Sequence, residues 1–192
     1  MWKVAAGIAV LAAFFWGLKD KGEISAEVFP PGEFPAWSPK PGVTMSLNDL
    51  YKKHANRQGL DWLLLKAIAQ VESNENPNAV NPADPSRGLM QILCVPDKSG
   101  GCANKFNILG WPPESEEALF DPDLNLSFGS QILAWNITRY GFLKGIAVYN
   151  SWSARNDPMD GPFRNQGYVD KVLSKYRGLG GIVGQAEART FA

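Results

Sequence analysis

The chain has one histidine, two cysteines and no excess of either charge, with 19 basic residues against 19 acidic ones. Each shortage excludes something. A single imidazole, His54, far in sequence from Cys94 and Cys102, cannot complete a four-ligand zinc site of nitrogen and sulfur. A neutral chain without a basic stripe lacks the electrostatic footprint of a nucleic-acid binder. Nothing in the residues calls for a metal or a cofactor. Repeats and clear strand hairpins are missing too, so a repeat array or an all-β sandwich is not expected. With 45% apolar and 20% charged residues, the chain suits a folded protein and not a disordered one. Its 192 residues are enough for one domain with a real core. Tryptophan is abundant, with seven residues that serve either core packing or an aromatic-lined groove.

Organisation follows from the composition along the chain. Val4 to Leu18 is a continuous apolar run, with Lys3 before it and Lys19 and Lys21 after it. About 15 helical residues span about 22 Å, short of the roughly 30 Å of a bilayer core. Trp2 and Trp16 can extend that reach at the interfaces. Residues 1–21 are therefore expected to be an N-terminal hydrophobic anchor helix, touching the membrane through residues 3–19. A cleaved signal peptide and a buried helix are the alternatives, and Ile24-Ser25-Ala26 is a poor cleavage site. The free amino terminus and Lys3 favour a cytoplasmic N-terminus with the rest outside. Residues 22–45 hold Pro30, Pro31, Pro35, Pro39 and Pro41 and read as a semi-rigid linker. Residues 46–177 are expected to form the folded domain, and residues 178–192 a Gly-rich, loosely held tail.

Within the domain, helical periodicity predicts a mainly α fold. Helices are expected from Ser46 to Gly59, from Asp61 to the residues before Asn76-Pro77, from Leu124 to Tyr140, from Lys144 to Asn150 and from Gly167 to Tyr176. Gly88 to Leu93 reads as a short helix or an extended turn. The Cys94–Cys102 interval is a loop by composition. Outside the cytoplasm the two cysteines would pair, stabilising the fold by roughly 2–3 kcal/mol. In a reducing compartment they would stay free thiols.

One carboxylate is misplaced for a simple amphipathic helix. On the Asp61 helix, Lys66, Gln70 and Ser73 share one side, whereas Glu72 falls with Leu65, Ile68 and Ala69. Burial there disfavours the charged form and raises the pKa. A carboxyl kept protonated near neutrality can give its proton to a leaving group, as in glycosidases. The plainer alternative is a Glu at the rim of the apolar face that reaches water.

Further segments follow Glu72-Ser73 in order: Gly88-Leu89-Met90-Gln91, then Ala147-Val148-Tyr149-Asn150, then Tyr168-Val169-Asp170-Lys171-Val172. Asn125 and Gly129 supply an Asn-x-x-x-Gly at the start of the long helix. Taken together, from about Leu47 to Tyr176, the chain resembles the soluble lytic transglycosylase (SLT) domain family of the lysozyme-like superfamily. The resemblance implies a lysozyme-like fold and an enzyme of the glycosidic-bond lyase type. Its substrate would be peptidoglycan glycan strands, cut between N-acetylmuramic acid and N-acetylglucosamine with a 1,6-anhydro product. It implies Glu72 as the sole acid/base. It also implies substrate contacts from Ser86, Gln91 and the adaptable side chain of Met90. Tyr149 is expected to aim its hydroxyl at the acid or the sugar, with Asn150 supporting the turn and Tyr168 near the acid. From the residues alone, both tyrosines could equally be core aromatics.

Most glycosidases need a second carboxylate. Glu75, Asp84, Asp121, Asp157 and Asp160 sit in no matching motif, and the resemblance implies that the substrate's N-acetyl group takes that role. Glu75 departs from the family, which commonly has an aromatic residue there. It reads as a surface charge or as added negative potential near the site. Trp62 is expected to pack under the first helix, and Trp111 and Trp152 are candidates for sugar contact. The expected location is extracytoplasmic (periplasmic), membrane-anchored or exported, within a secretion or conjugation assembly or a phage virion. A water-using muramidase and a non-catalytic wall-binding or structural component remain the alternatives.

Overall fold

The computed structural model describes residues 45–96, 102–103 and 115–190. The expected anchor, nearly all of the linker, residues 97–101 of the loop between the cysteines, and Trp111 lie outside these residues. Among the described residues, no helix is long and apolar enough to cross a membrane.

Helix α1 (Leu47–Gln58) starts where Ser46 Oγ accepts the Asp49 amide hydrogen, and it closes at Gly59 in the left-handed conformation. Helix α2 (Trp62–Ser73) starts at Asp61, whose carboxylate accepts from the Leu63 N–H at 2.9 Å. Such caps supply partners for backbone groups that the first turn of a helix leaves unpaired. The α2 face carrying Leu64, Leu65, Ala67, Ile68 and Ala69 is buried. Each leucine or isoleucine so buried contributes about 1.5–3 kcal/mol of transfer free energy. After a short 3-10 turn (Glu117–Phe120), Asp121 caps α3 (Pro122–Tyr140), with Pro122 in the first turn, where a missing N–H costs nothing. Helix α4 (Phe142–Asn150), a second 3-10 turn (Trp152–Asn156), α5 (Gln166–Gly178) and α6 (Val183–Thr190) complete the order.

Helix α2 packs against α1 and α5, while α3 packs against α1 and α4. The buried Tyr176 of α5 donates to the Asp61 carboxylate at 2.9 Å, fastening α5 to the start of α2. Trp62 lies half-buried between α1 and α2, with Lys52 Nζ 5.2 Å from its ring centre, as expected.

Two sequence expectations change. Two small antiparallel ladders exist: β1 (Ser86–Arg87) pairs with β2 (Ile92–Leu93), and β3 (Val95–Pro96) with β4 (Cys102–Ala103). Strands two residues long carry no readable alternation. The segment from Gly88 is the tip of a hairpin, which is the extended turn of its two expected forms and not the short helix. The tail contains α6, with Ala186 buried, so it is docked and not loose throughout. Cys94 and Cys102 are disulfide-bonded and buried beside the second ladder.

Candidate active site

Helix α2 delivers Glu72 in its last turn, three residues after the fully buried Ala69. The helix stops at Asn74, whose φ of 53° reverses the chain, and Glu75 follows with φ 60°. Glu72 stays half-buried and faces α5, where Tyr168 Oη donates to Glu72 Oε1 at 2.6 Å. Burial disfavours the charged carboxylate and is the largest effect on its acidity. The Tyr168 hydrogen bond pulls the other way, and the Asp84 charge adds a further upward push. The outcome is a carboxyl pushed up to about 7 from an ordinary 4.5. Among the described residues, no ion pair involves Glu72.

The tip of the β1–β2 hairpin is held against α2 and α3 by buried polar groups. Asn125 on α3 is fully buried; its Oδ1 accepts from the Met90 N–H at 2.8 Å. Its Nδ2 donates to the carbonyls of Arg87 and Leu119 at 2.9 and 2.8 Å. One amide thus satisfies three backbone groups that would otherwise be buried without partners. Gly88 adopts φ +77° directly over Asn125, where a Cβ would overlap the amide. Gly129, one turn along α3, leaves the space that Met90 fills, and a Cβ there would overlap the thioether. Ser73 Oγ lies 2.8 Å from the Leu89 carbonyl and 3.0 Å from that of Ala69, joining the end of α2 to the same tip. The distant sequence segments therefore meet around one carboxyl.

An open groove of about 540 Å³ borders Glu72 at the C-terminal end of α2. Gln70, Asn74, Val80, Asn81 and Gln91 share its walls with Glu72. Gln91, at φ 48°, donates through Nε2 to the Gly88 carbonyl at 2.9 Å. Backbone in this region costs energy for a residue with a Cβ, and such positions cluster at functional sites.

Several expected contacts fall elsewhere. Met90 is completely buried and cannot form a wall of the groove; its role is to fill the space above Gly129. Ser86 is buried in β1 and is not part of the groove lining. Tyr149 lies close enough to Glu72 to feel its charge, while its Oη donates to the Met90 carbonyl at 2.8 Å and braces the hairpin tip. Burial, with the Glu72 charge adding to it, pushes both the Tyr149 and the Tyr168 phenols well above the usual range. Asn150 is exposed and accepts from Asn165 Nδ2 at 3.0 Å, a link between the end of α4 and the start of α5. Trp152 stacks on Trp135 with centroids 6.0 Å apart, and Arg155 lies 4.8 Å from its ring, so that ring is in use. Asp121 caps α3, Asp157 binds Arg164, and Glu75 binds Gln70 and Lys66. Asp84 is the carboxylate whose charge reaches Glu72. Gln70, Asn74, Val80 and Asn81 were not foreseen. The αL residue ending α2 was the available signal, because a reversal there folds the following loop back over the acid.

Residues 49–158 match the family described as the Transglycosylase SLT domain. The chain is 37% identical over 98 residues to a membrane-bound lytic murein transglycosylase C of Pectobacterium atrosepticum, covering 50% of this chain and 26% of that protein. It is 33% identical over 121 residues to an endo-type membrane-bound lytic murein transglycosylase A of Cronobacter sakazakii, covering 61% of this chain and 56% of that one. The 70 kDa soluble lytic transglycosylase of Escherichia coli, solved by crystallography, superposes with a TM-score of 0.51 at 29% identity. The match covers 70% of this chain and 24% of the larger enzyme.

Proposed function

This chain belongs to the transglycosylase SLT domain family, and from that membership and the environment of Glu72 we propose that it is a peptidoglycan lytic transglycosylase. The observation that carries the reading is the Glu72 carboxyl itself: at the edge of a groove, held near a pKa of about 7 and hydrogen-bonded to Tyr168. An acid with a pKa near the working pH can give and then retake a proton in successive steps.

The proposed reaction starts with Glu72 protonated. It transfers that proton to the bridging oxygen as the bond from C1 of N-acetylmuramic acid to the N-acetylglucosamine leaving group breaks. Positive charge develops at C1, and the substrate's own N-acetyl oxygen stabilises it. The C6 hydroxyl then closes on C1, and the Glu72 carboxylate takes its proton. No water is consumed, and the acid is restored. Between the two steps Glu72 is charged, and the Tyr168 hydroxyl stabilises it in that state. The groove supplies amide groups and an apolar wall for the sugars. Residues 3–19 would anchor the chain to a membrane, and residues 22–45 would hold the domain away from it, at extracytoplasmic peptidoglycan. Local wall opening for an envelope-spanning machine or a phage particle fits this arrangement.

Asp84 favours a second reading. As the carboxylate whose charge reaches Glu72, it is the candidate to activate water in a hydrolytic muramidase. Mass spectrometry of digested peptidoglycan separates the two. The lyase gives 1,6-anhydro ends, and hydrolysis gives reducing ends. Peptidoglycan left intact by the wild type, or cut equally well by Glu72→Gln, would instead favour a non-catalytic scaffold role.

A further inference from the structure

Glu75 does more than carry a surface charge. Its backbone N–H donates to the Ala69 carbonyl at 3.2 Å while φ is 60°, which turns the side chain back along α2. There, Glu75 Oε2 accepts from Gln70 Nε2 at 3.0 Å, and Oε1 lies 3.7 Å from Lys66 Nζ. Lys66 in turn donates to Asn48 Oδ1 on α1 at 2.9 Å. A side-chain chain of Asn48, Lys66, Glu75 and Gln70 therefore ends at the groove, which Gln70 lines.

The chemistry of this chain fixes which way the Gln70 amide faces. A carboxylate can only accept, so the Gln70 atom against Glu75 must be the amide nitrogen. The amide carbonyl oxygen is left as the other end. It takes no hydrogen bond from a described residue, and it is not among the polar atoms sealed from solvent. The same groove has an apolar wall in Val71, Ala79, Val80 and Pro82, with Val80 56% exposed. An acceptor beside an apolar wall matches an acetamido group, which has an N–H to give and a methyl to bury.

We infer that Gln70 is a specificity-determining residue that accepts the acetamido N–H of a bound N-acetylated sugar, and that Glu75 is a positioning residue that orients it. The inference deepens the proposed function and takes its substrate class from that reading.

Its test is binding of the N-acetylglucosamine tetramer, followed by NMR titration of the full chain, alongside cleavage kinetics on peptidoglycan. Gln70→Met keeps the length of the side chain and removes the acceptor. It should weaken tetramer binding about tenfold, the value of one good neutral hydrogen bond, and raise KM in parallel. The pH midpoint of kcat should not move. Glu75→Gln frees the amide to flip and should weaken binding about threefold. The decisive arm is the double variant: in the Gln70→Met background, Glu75→Gln should cost nothing more. Thermal midpoints verify folding of each variant. A Gln70→Met effect below about twofold overturns the inference, even if the wild type cuts peptidoglycan normally. An undiminished Glu75→Gln effect in the double variant overturns the positioning role. Failure of wild-type cleavage refutes the parent reading, while the tetramer titration still decides the Gln70 contact.

Discussion

Glu72 and Asp123 are both partly buried carboxylates that join two helices, and their surroundings drive them in opposite directions. Burial opposes ionisation of both. Asp123 receives hydrogen bonds from Lys53 Nζ at 2.7 Å and lies 2.6 Å from His54 Nε2, and these partners outweigh burial and hold its carboxyl below the usual range. Glu72 receives one phenolic hydroxyl and no cation among the described residues, and burial wins. His54 has only 2% of its surface exposed. Burial is the main effect on it and lowers its pKa against the pull of Asp123. A carboxylate that serves the fold is given a cation; the one at the groove is denied it. The denial is what makes a proton available near neutral pH.

The sharpest way to break this contrast is to replace each acid by its amide. Glu72→Gln should lower the rate of peptidoglycan cleavage at least about 100-fold, because the general acid is gone. Release of soluble muropeptides measures this. Asp123→Asn should instead spare the chemistry and cost roughly 1–2 kcal/mol of stability at pH 8, since Lys53 loses its counter-charge and the neutral His54 loses a charged hydrogen-bond partner in a partly solvated site. Urea unfolding measures that loss.

The stability of Glu72→Gln should move the other way. A carboxyl raised from 4.5 to about 7 binds its proton more tightly in the folded state. Between those values the folded chain holds more protons than the unfolded one, so stability falls as pH rises, and the penalty is complete above about 7. Removing the titration should therefore stabilise the domain at pH 8 by roughly 2 kcal/mol and have little effect below pH 4. For Asp123, whose carboxyl is depressed, the contribution is present above the ordinary carboxylate range and is lost as pH falls through its lowered value. Equal signs for the two amide variants at pH 8 would erase the distinction.

Smaller effects sharpen the picture of the hairpin tip. Gly129→Ala should cost about 1–2 kcal/mol by overpacking against Met90. It should also raise KM, because the tip carries Gln91 into the groove. Calorimetry and kinetics together test this. Smallest is Tyr168→Phe. Losing a hydrogen bond that favours the charged form should raise the Glu72 pKa further. The alkaline limb of the rate profile should shift upward, with only a several-fold loss at its optimum.

Local periodicity reached far into this molecule. Helix α2 and the buried side of Glu72 could be read because both depend on residues within a few turns of one another. The limits of α3 and α5 came within two residues for the same reason, since Asp121-Pro122 and Gly178 mark their ends. The expected groove contacts of Met90 and Ser86 are lost to burial, which long-range packing decides, and Tyr149 stays only half-buried. Met90 is drawn into the core by the absent Cβ of Gly129, 39 positions later in sequence. Tyr149 finds its partner in a backbone carbonyl, which no side-chain motif reveals. Gln70 lay on the polar side of a helical wheel, and only the reversal at Asn74 and Glu75 brings the groove to it.

The most direct test is a site-resolved titration of the Glu72 side-chain carboxyl by carbon-13 NMR, with Glu72→Gln used for assignment. The account predicts a midpoint close to 7, moving upward in Tyr168→Phe. A midpoint at the ordinary 4.5 would contradict it, because a carboxylate already charged at neutral pH has no proton to give the glycosidic oxygen.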